Sequence, residues 1–228
     1  MSEKERQLEE SWVTNAEAWT QSVRQNQIES RKLATDQAVI DEIVSLNPRK
    51  VMDVGSGEGW LARALHNLGI EVVGIEGSGE LVQVARSAGG GSFHQLSYAD
   101  FCQQPAQFGT DFDLAVCNFS LLSEEITELL QALSTILTTQ GAIVIHTLHP
   151  YHLAPDDRYE IGWREESFTR MGEGYKAAMP WYYRTMSAWL GELPKAGLEL
   201  VRCTEPIHPR TGKPLSLLIT AKPQRDRE

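Results

Sequence analysis

The segment of this chain that is most informative about its fold reads Val51-Met52-Asp53-Val54-Gly55-Ser56-Gly57-Glu58-Gly59-Trp60. Its first four residues are a short, mostly apolar run of the kind that forms a buried strand. Three glycines then follow at alternate positions, where they permit a tight turn and a close approach of the backbone to a ligand. The helix expected after the turn offers unpaired N–H groups to an anion. The stretch therefore predicts a strand, a ligand-binding turn and a helix.

Two common glycine-rich motifs do not fit this turn. A dinucleotide fingerprint needs a third glycine where Trp60 stands, which disfavours a nicotinamide-dependent oxidoreductase but leaves it as an alternative. A phosphate-binding loop needs Gly-Lys-Ser or Gly-Lys-Thr, and neither tripeptide follows.

Downstream of the turn, short apolar runs alternate with helical patterns. This alternation implies parallel strands joined by right-handed crossovers, and hence a doubly wound α/β sheet. Two further runs near the end of the chain are close enough to form an antiparallel pair. The predicted strands are 51–54, 72–76, 93–96, 112–117, 141–146, 198–203 and 215–221, and the predicted helices of the core are 60–68, 79–87 and 123–137.

An acid at the end of the second predicted strand adds to the glycine motif. Glu76 lies 19 residues beyond Gly57, where a carboxylate can accept hydrogen bonds from both ribose hydroxyls of an adenosine ligand. Together with this acid, the pattern Asp-x-Gly-x-Gly-x-Gly resembles the first motif of class I S-adenosylmethionine-dependent methyltransferases. The resemblance covers about 47–150. It implies a Rossmann-like, doubly wound, seven-stranded sheet with an antiparallel C-terminal strand pair, and S-adenosyl-L-methionine as cofactor.

The resemblance also implies a set of cofactor-binding residues. In the family the matching acid of the first motif lies near the methionine amino group, and an acid after the third strand meets the adenine amino group beside an apolar neighbour. These residues also have explanations without a cofactor. The three glycines suit a turn without a ligand, and Glu76 suits an exposed loop acid. Other acids lie near Asp100, which leaves a different partner for adenine open. The implied residues are Asp53, Gly55, Ser56, Gly57, Gly59, Glu76, Gly77, Asp100, Phe101, Asn118 and Phe119.

The chemistry implied is a direct in-line attack by an acceptor atom on the methyl group. Such a reaction needs alignment above all, and it needs a general base only when the acceptor atom carries a proton. The candidate bases are His146, His149 and Tyr151, and Asn118 would position the acceptor. A metal shared by these histidines and His152 is disfavoured, because strand residues three apart face opposite sides, so no metal is predicted.

The region 150–183 departs from the alternating pattern. Positions 151–189 hold nine of the eighteen aromatic residues, which suits either packing under a lid or a pocket for a planar or cationic acceptor. We expect one domain over 1–228, made of N-terminal helices (1–47), a cofactor-binding core (48–149), a substrate-side insertion or lid (150–183) and a C-terminal helix with strands (184–228).

Charge and composition narrow the class of partner. The formal charge of −10 leaves no basic face for nucleic acid or an anionic membrane, so we expect a small-molecule acceptor. The aromatic cluster is the one feature that suits an aromatic acceptor. The N-terminus shows no secretory signal, and three widely spaced cysteines favour reduced, buried thiols in a cytoplasmic monomer or homodimer. A catalytically silent, cofactor-binding regulatory partner is the alternative, because methyl transfer has no obligatory catalytic side chain.

Overall fold

The computed structural model describes residues 2–151 and 158–224. The helices are α1 (Glu3–Arg24), α2 (Asp36–Ser45), α3 (Trp60–His66), α4 (Gly79–Ala88), α5 (Tyr98–Gln103), α6 (Thr127–Thr135) and α7 (Met186–Lys195), with a π-helical turn at Arg31–Thr35 and a 3₁₀ turn at Pro105–Phe108. The strands are β1 (Lys50–Val54), β2 (Glu71–Glu76), β3 (Ser92–Gln95), β4 (Phe112–Asn118), β5 (Leu137–Leu148), β6 (Gly162–Glu166), β7 (Met179–Tyr183), β8 (Leu198–Thr204) and β9 (Ser216–Pro223).

Seven of these strands form one sheet in the order β3-β2-β1-β4-β5-β9-β8. The first five pair in parallel, whereas β9 is antiparallel to both β5 and β8. The predicted doubly wound α/β fold with an antiparallel C-terminal pair is therefore confirmed. The sequence did not indicate that β9, the last strand, would lie between β5 and β8.

Helices cover both faces of this sheet, because alternate residues of each strand point to opposite sides. Met52 contributes to an apolar cluster that includes residues of α5, α6 and α7, while its neighbour Val51 contributes to a second cluster with residues of α2, α3 and α4. The strand order reverses between β1 and β4, and in open α/β sheets ligands bind outside the carboxyl ends of the strands at such a point.

The insertion contains regular structure that the sequence did not predict. β6 and β7 pair antiparallel as a separate two-stranded sheet. β7 packs against α1, so the first helix and the insertion form one layer. A small apolar cluster that includes Leu8, Phe168 and Met179 fills the space between them.

Three further predictions differ from the structure. Helix α6 is shorter than 123–137, and β5 begins at Leu137, so the expected turn before Gly141 belongs to the strand. The irregular pairing of β5 with β4 between Phe112 and Leu114 accommodates these extra residues. Cys117 is buried as expected, but Cys203 on the edge strand β8 is exposed. Within the described ranges, no helix is long and apolar enough to cross a membrane.

Candidate functional site

The glycine-rich turn after β1 has all three glycines in the left-handed region, at φ values of 72°, 54° and 82° for Gly55, Gly57 and Gly59. A Cβ at Gly55 would lie 2.5 Å from Cβ of Ser120, so this glycine is required by the loop after β4. A Cβ at Gly59 would lie 2.9 Å from the ring of Phe93.

Only the middle glycine borders open space. A Cβ at Gly57 would meet just the indole Nε1 of Trp19, at 3.6 Å, and a Cβ at Gly77 would meet nothing within 4 Å. The side chain of Ser56 is turned to the other side, since its Oγ would lie 2.8 Å from a Cβ at Gly74. Of the predicted cofactor-binding residues, Gly57 and Gly77 therefore border open space, here called the cleft, whereas Gly55, Ser56 and Gly59 pack against other side chains.

Two carboxylates lie at the ends of neighbouring strands beside this cleft. Glu76 accepts hydrogen bonds from the backbone N–H of Gly57 at 3.0 Å and of Ser78 at 2.8 Å. Asp53 is buried, and its Oδ2 has no hydrogen-bond partner among the described residues. Burial, together with the negative charge of Glu76, raises the pKa of Asp53 to about 7. Burial also raises the pKa of Glu76, against the lowering effect of the backbone N–H groups.

A tyrosine that the sequence analysis did not single out lies at the centre of the site. The Tyr98 hydroxyl donates to the backbone carbonyl of Ser120 at 3.2 Å and would lie 2.6 Å from a Cβ at Gly55. Burial raises its pKa, and the negative charge of Glu76 raises it further. The Oγ of Ser120 is buried without a partner among the described residues. The resemblance implied adenine recognition by Asp100 and Phe101 and gave no role to Tyr98.

Asp100 and Phe101 are not brought into this site. The carboxylate of Asp100 accepts from the hydroxyl of Ser97, the N-cap of α5, and the residue is exposed. Phe101 is completely buried in the core cluster that also contains Ile75 and Leu130. Helix α5 begins directly after β3, so its first turn uses the acid for capping and directs the next apolar residue inward.

At the ends of β4 and β5, three side chains form a buried hydrogen-bonded chain. Nδ1 of His146 lies 2.8 Å from Oδ1 of Asn118, and Nε2 lies 2.9 Å from Oγ of Ser216 at the start of β9. Burial lowers the pKa of His146 to about 3, so the ring is neutral. Phe119 has a φ of 54°, donates its N–H to the carbonyl of His146 at 2.7 Å, and places its ring 4.5 Å from the imidazole.

The other two candidate bases lie further along this edge. His149 is buried, with Nε2 2.7 Å from Oε1 of Glu205 and Nδ1 accepting from the N–H of Tyr151 at 3.0 Å. Tyr151 itself is 60% exposed. His152, the third histidine of the disfavoured metal site, lies outside the described residues, and the two histidines that are described have other partners.

The insertion is attached to the loop that follows β4. The N–H of Tyr182 donates to the carbonyl of Leu122 at 2.8 Å, and Nη2 of the buried Arg184 donates to the carbonyls of Ser123 and Glu124. Several of the clustered aromatic rings pack on one another, as in the stacked Phe168–Tyr175 pair and the edge-to-face contacts of Trp163 with Tyr182 and of Trp181 with Tyr183. These contacts favour the packing explanation for this part of the cluster.

Helix α1 connects the insertion to the glycine-rich turn. Asn15 is buried, donates to the carbonyl of Ala177 at 2.7 Å and accepts from the N–H of Lys176 at 2.8 Å. At its other end, Arg24 contacts the fully buried carboxylate of Glu58, which Arg63 also binds through both oxygens. The helix thus runs from the insertion to the glycine-rich turn, and its Trp19 lies beside Gly57.

The arrangement has two chemically different halves on one sheet edge. The ends of β1 and β2 present buried carboxylates, which suit a ligand carrying a cationic group and hydroxyls. The ends of β4 and β5 present a neutral amide–imidazole–hydroxyl chain under the insertion. Asn118 adjoins the glycine-rich turn because Cys117 pairs with Val54 in the sheet.

Comparisons with known proteins agree with this geometry. Residues 51–141 match the family model of a methyltransferase domain. The 1,6-didemethyltoxoflavin-N1-methyltransferase of Burkholderia thailandensis, with bound 1,6-didemethyltoxoflavin and S-adenosylhomocysteine, superposes with a TM-score of 0.66 at 16% identity, covering 99% of this chain and 92% of that chain.

Two further solved structures are similar. An S-adenosylmethionine-dependent methyltransferase from Mesorhizobium loti has a TM-score of 0.59 at 20% identity, covering 79% of this chain and 95% of that one. Another from Clostridium acetobutylicum has a TM-score of 0.59 at 17% identity, covering 84% and 91%. No curated protein sequence matches the chain. Residues 51–141 are therefore similar to a methyltransferase domain, and the chain has the fold of these S-adenosylmethionine-dependent methyltransferases.

Proposed function

We propose that this chain is an S-adenosylmethionine-dependent methyltransferase that acts on a small-molecule acceptor by direct in-line transfer. The observation that carries the proposal is the position of Glu76, whose carboxylate accepts a hydrogen bond from the N–H of Gly57 in the glycine-rich turn. A carboxylate there, beside the open side of a glycine-rich turn, suits the two hydroxyls of a ribose.

The residues of this half fit the cofactor. The buried Oδ2 of Asp53 lacks a partner among the described residues, and an ammonium group such as that of the methionine end would supply one. The buried Asp53 and the half-buried Glu76 also favour a ligand with net positive charge, which S-adenosylmethionine carries through its sulfonium and ammonium groups. The backbone at Gly57 and Gly77 offers the space for a ligand to approach.

The acceptor half supports a small molecule. The insertion is bonded to the loop after β4, through Tyr182 to Leu122 and through the adjoining Arg184 to Ser123, and its place beside the end of β4 favours a compact acceptor over a polymer. The net charge of −10 argues in the same direction. The similar methyltransferase from Burkholderia thailandensis has 1,6-didemethyltoxoflavin bound, which also fits this proposal.

Positioning, not proton removal, is the task that this geometry suits. The bound cofactor supplies a methyl group made electrophilic by the sulfonium. His146 uses both ring nitrogens within its buried chain, and His149 uses both with Glu205 and the N–H of Tyr151. Neither histidine therefore has a nitrogen available for an acceptor proton, and we assign the rate enhancement to holding the acceptor in line with the methyl group.

Transfer of label from S-adenosylmethionine carrying a radioactive methyl group tests the proposal. The protein is incubated with separate small-metabolite, nucleic-acid and protein fractions of a cell extract. We expect label to enter the small-metabolite fraction, and the variant Glu76→Ala to abolish that transfer. Label that enters only a macromolecular fraction, or no fraction at all, contradicts the proposal.

A further inference from the structure

The buried chain of Asn118, His146 and Ser216 has a defined direction. Only 1% of His146 and 0% of Ser216 is exposed, so neither exchanges hydrogen bonds with solvent. The hydroxyl of Ser216 can donate or accept, but Oδ1 of Asn118 can only accept. With Oδ1 at 2.8 Å from Nδ1 of His146, the proton of the neutral ring must lie on Nδ1, and Nε2 then accepts from Ser216.

This direction determines how Asn118 meets the cleft. Its Oδ1 is used by His146, and in a planar amide the nitrogen Nδ2 diverges from Oδ1, so Nδ2 cannot point at the same ring atom. Unlike its two partners in the chain, Asn118 is partly exposed, and with Oδ1 bonded to His146 the group of its amide left to meet a ligand is the NH₂ group. No described residue accepts a hydrogen bond from this group.

The backbone beside Asn118 is held by the same histidine. Phe119 adopts a left-handed φ of 54°, which is costly for a residue with a Cβ and persists only where the surroundings enforce it. The carbonyl of His146 accepts its N–H, and the imidazole packs against its ring. His146 thus orients both the side chain and the following backbone at the end of β4.

We propose that His146 and Ser216 are positioning residues that turn the amide NH₂ of Asn118 toward the acceptor, which is therefore held through a carbonyl or carboxylate oxygen. The proposal rests on the proposed function, and it adds the chemical class of the acceptor. A donor directed at that oxygen would align the neighbouring nucleophilic atom with the methyl group, and no proton needs to move through the chain.

The tautomer of His146 tests the first half of the proposal. Long-range ¹⁵N–¹H spectra of protein labelled at histidine distinguish protonation at Nδ1 from protonation at Nε2, and the variant His146→Gln identifies the signals. We expect Nδ1 to carry the proton with and without S-adenosylhomocysteine. Protonation at Nε2 overturns the proposal, since Asn118 would then donate to the ring and present its oxygen to the cleft.

Binding of benzoate, a planar carboxylate, tests the second half by ligand-observed NMR on protein loaded with S-adenosylhomocysteine. We expect saturable binding that Asn118→Asp weakens by about tenfold or more, because the donor is lost while Oδ1 is retained. Benzylamine, a cation of similar shape, should bind the same variant better than the wild type. Absence of benzoate binding to the wild type, or binding that Asn118→Asp leaves unchanged, overturns the assignment of the acceptor class.

The role of Ser216 is read from a matched pair of variants. Ser216→Ala should weaken benzoate binding several-fold, and Ser216→Thr, which keeps the hydroxyl, should restore it. Equal affinities of the two variants contradict a positioning role for this hydroxyl. S-adenosylhomocysteine is titrated into every variant: failure to bind the wild type contradicts the proposed function, whereas normal cofactor binding with failed benzoate results contradicts the present inference alone.

Discussion

The two halves of the site use opposite electrostatic designs on one sheet edge. At the ends of β1 and β2, Asp53 is buried and Glu76 is half-buried, desolvation raises the pKa of both acids, and Oδ2 of Asp53 has no described partner. At the ends of β4 and β5, His146 is neutral and both its nitrogens are hydrogen-bonded. The first half therefore holds a buried acid with an unpaired oxygen, whereas the imidazole of the second half already has partners at both nitrogens.

Because of this difference, we expect the two halves to differ in how much cofactor binding stabilises them. A buried acid without a partner costs stability that a bound ammonium group can recover, so the first half couples folding stability to ligand binding. The neutral His146, with both nitrogens hydrogen-bonded, has no unpaired charge for a cationic group to offset. The point where the halves touch is Gly55, against Ser120 and Tyr98.

The largest effect is expected at this point of contact. Gly55→Ala places a Cβ 2.5 Å from Cβ of Ser120 and 2.6 Å from the Tyr98 hydroxyl, at a φ of 72°. We expect a loss of about 3 kcal/mol or more in the free energy of unfolding, from overpacking and backbone strain together. Thermal or urea unfolding of the variant measures it.

Gly197 provides a matched control for that variant. Its φ is 71°, yet a Cβ there would meet nothing within 4 Å. Gly197→Ala should therefore cost only the conformational strain, about 1 kcal/mol. Equal losses in the two variants would show that the two halves do not press on each other at Gly55.

A smaller effect, of opposite sign for stability and for binding, is expected at Asp53. The variant Asp53→Asn removes a buried charge, so at pH 8 the unliganded protein should unfold a few degrees higher than the wild type. The same change removes the partner of the cofactor's ammonium group, so affinity for S-adenosylhomocysteine should fall by about tenfold. A variant that is less stable and binds as tightly as the wild type would contradict this account of the first half.

The wild-type affinity should also depend on pH through this group. The pKa of Asp53 is about 7 in the folded protein, so its carboxylate is more fully ionised at pH 8 than at pH 6. We expect S-adenosylhomocysteine to bind more tightly at pH 8, and Asp53→Asn to reduce that dependence. Calorimetric titrations at the two pH values measure both.

The smallest effects are opposite slopes of stability against pH. Asp53 has a pKa raised from 3.8 to about 7, so its contribution is present below pH 4 and lost as pH rises toward 7. His146 has a pKa lowered from 6.5 to about 3, so its contribution is present above pH 6.5 and lost as pH falls toward 3. In urea unfolding, Asp53→Asn should flatten the first slope and His146→Gln the second. An exchange of these two outcomes would reverse the assignment of charge to the halves.

The sequence was sufficient for the parts of the fold that depend on local pattern. The apolar runs and glycines around Gly55 predicted the strand, the turn and the parallel sheet, because those patterns reflect burial and backbone geometry directly. The spacing of Glu76 from the turn likewise predicted an acid that the structure places against Gly57. The two strands in the insertion carried no comparable periodicity and were missed.

Contacts between residues that are far apart in the sequence could not be predicted from local patterns. Ser216 reaches His146 only because β9 lies beside β5, a pairing that its own residues do not specify. Phe101 and Asp100 were assigned to adenine by position in a motif, but the cap of α5 set their directions. Tyr98 acquires its place from the meeting of the loops after β3 and β4, which no local pattern encodes.

The claim that Glu76 holds the cofactor is tested by calorimetric titration of S-adenosylhomocysteine into the wild-type protein and into Glu76→Gln. Gln keeps the size of the side chain but loses the charge and one of the two strong acceptors for ribose hydroxyls. We predict binding in the micromolar range or tighter for the wild type, about 8 kcal/mol of binding free energy, and a loss of tenfold or more in the variant. Wild-type protein that shows no binding at about 1 mM ligand, or a variant that binds equally well, would contradict the account.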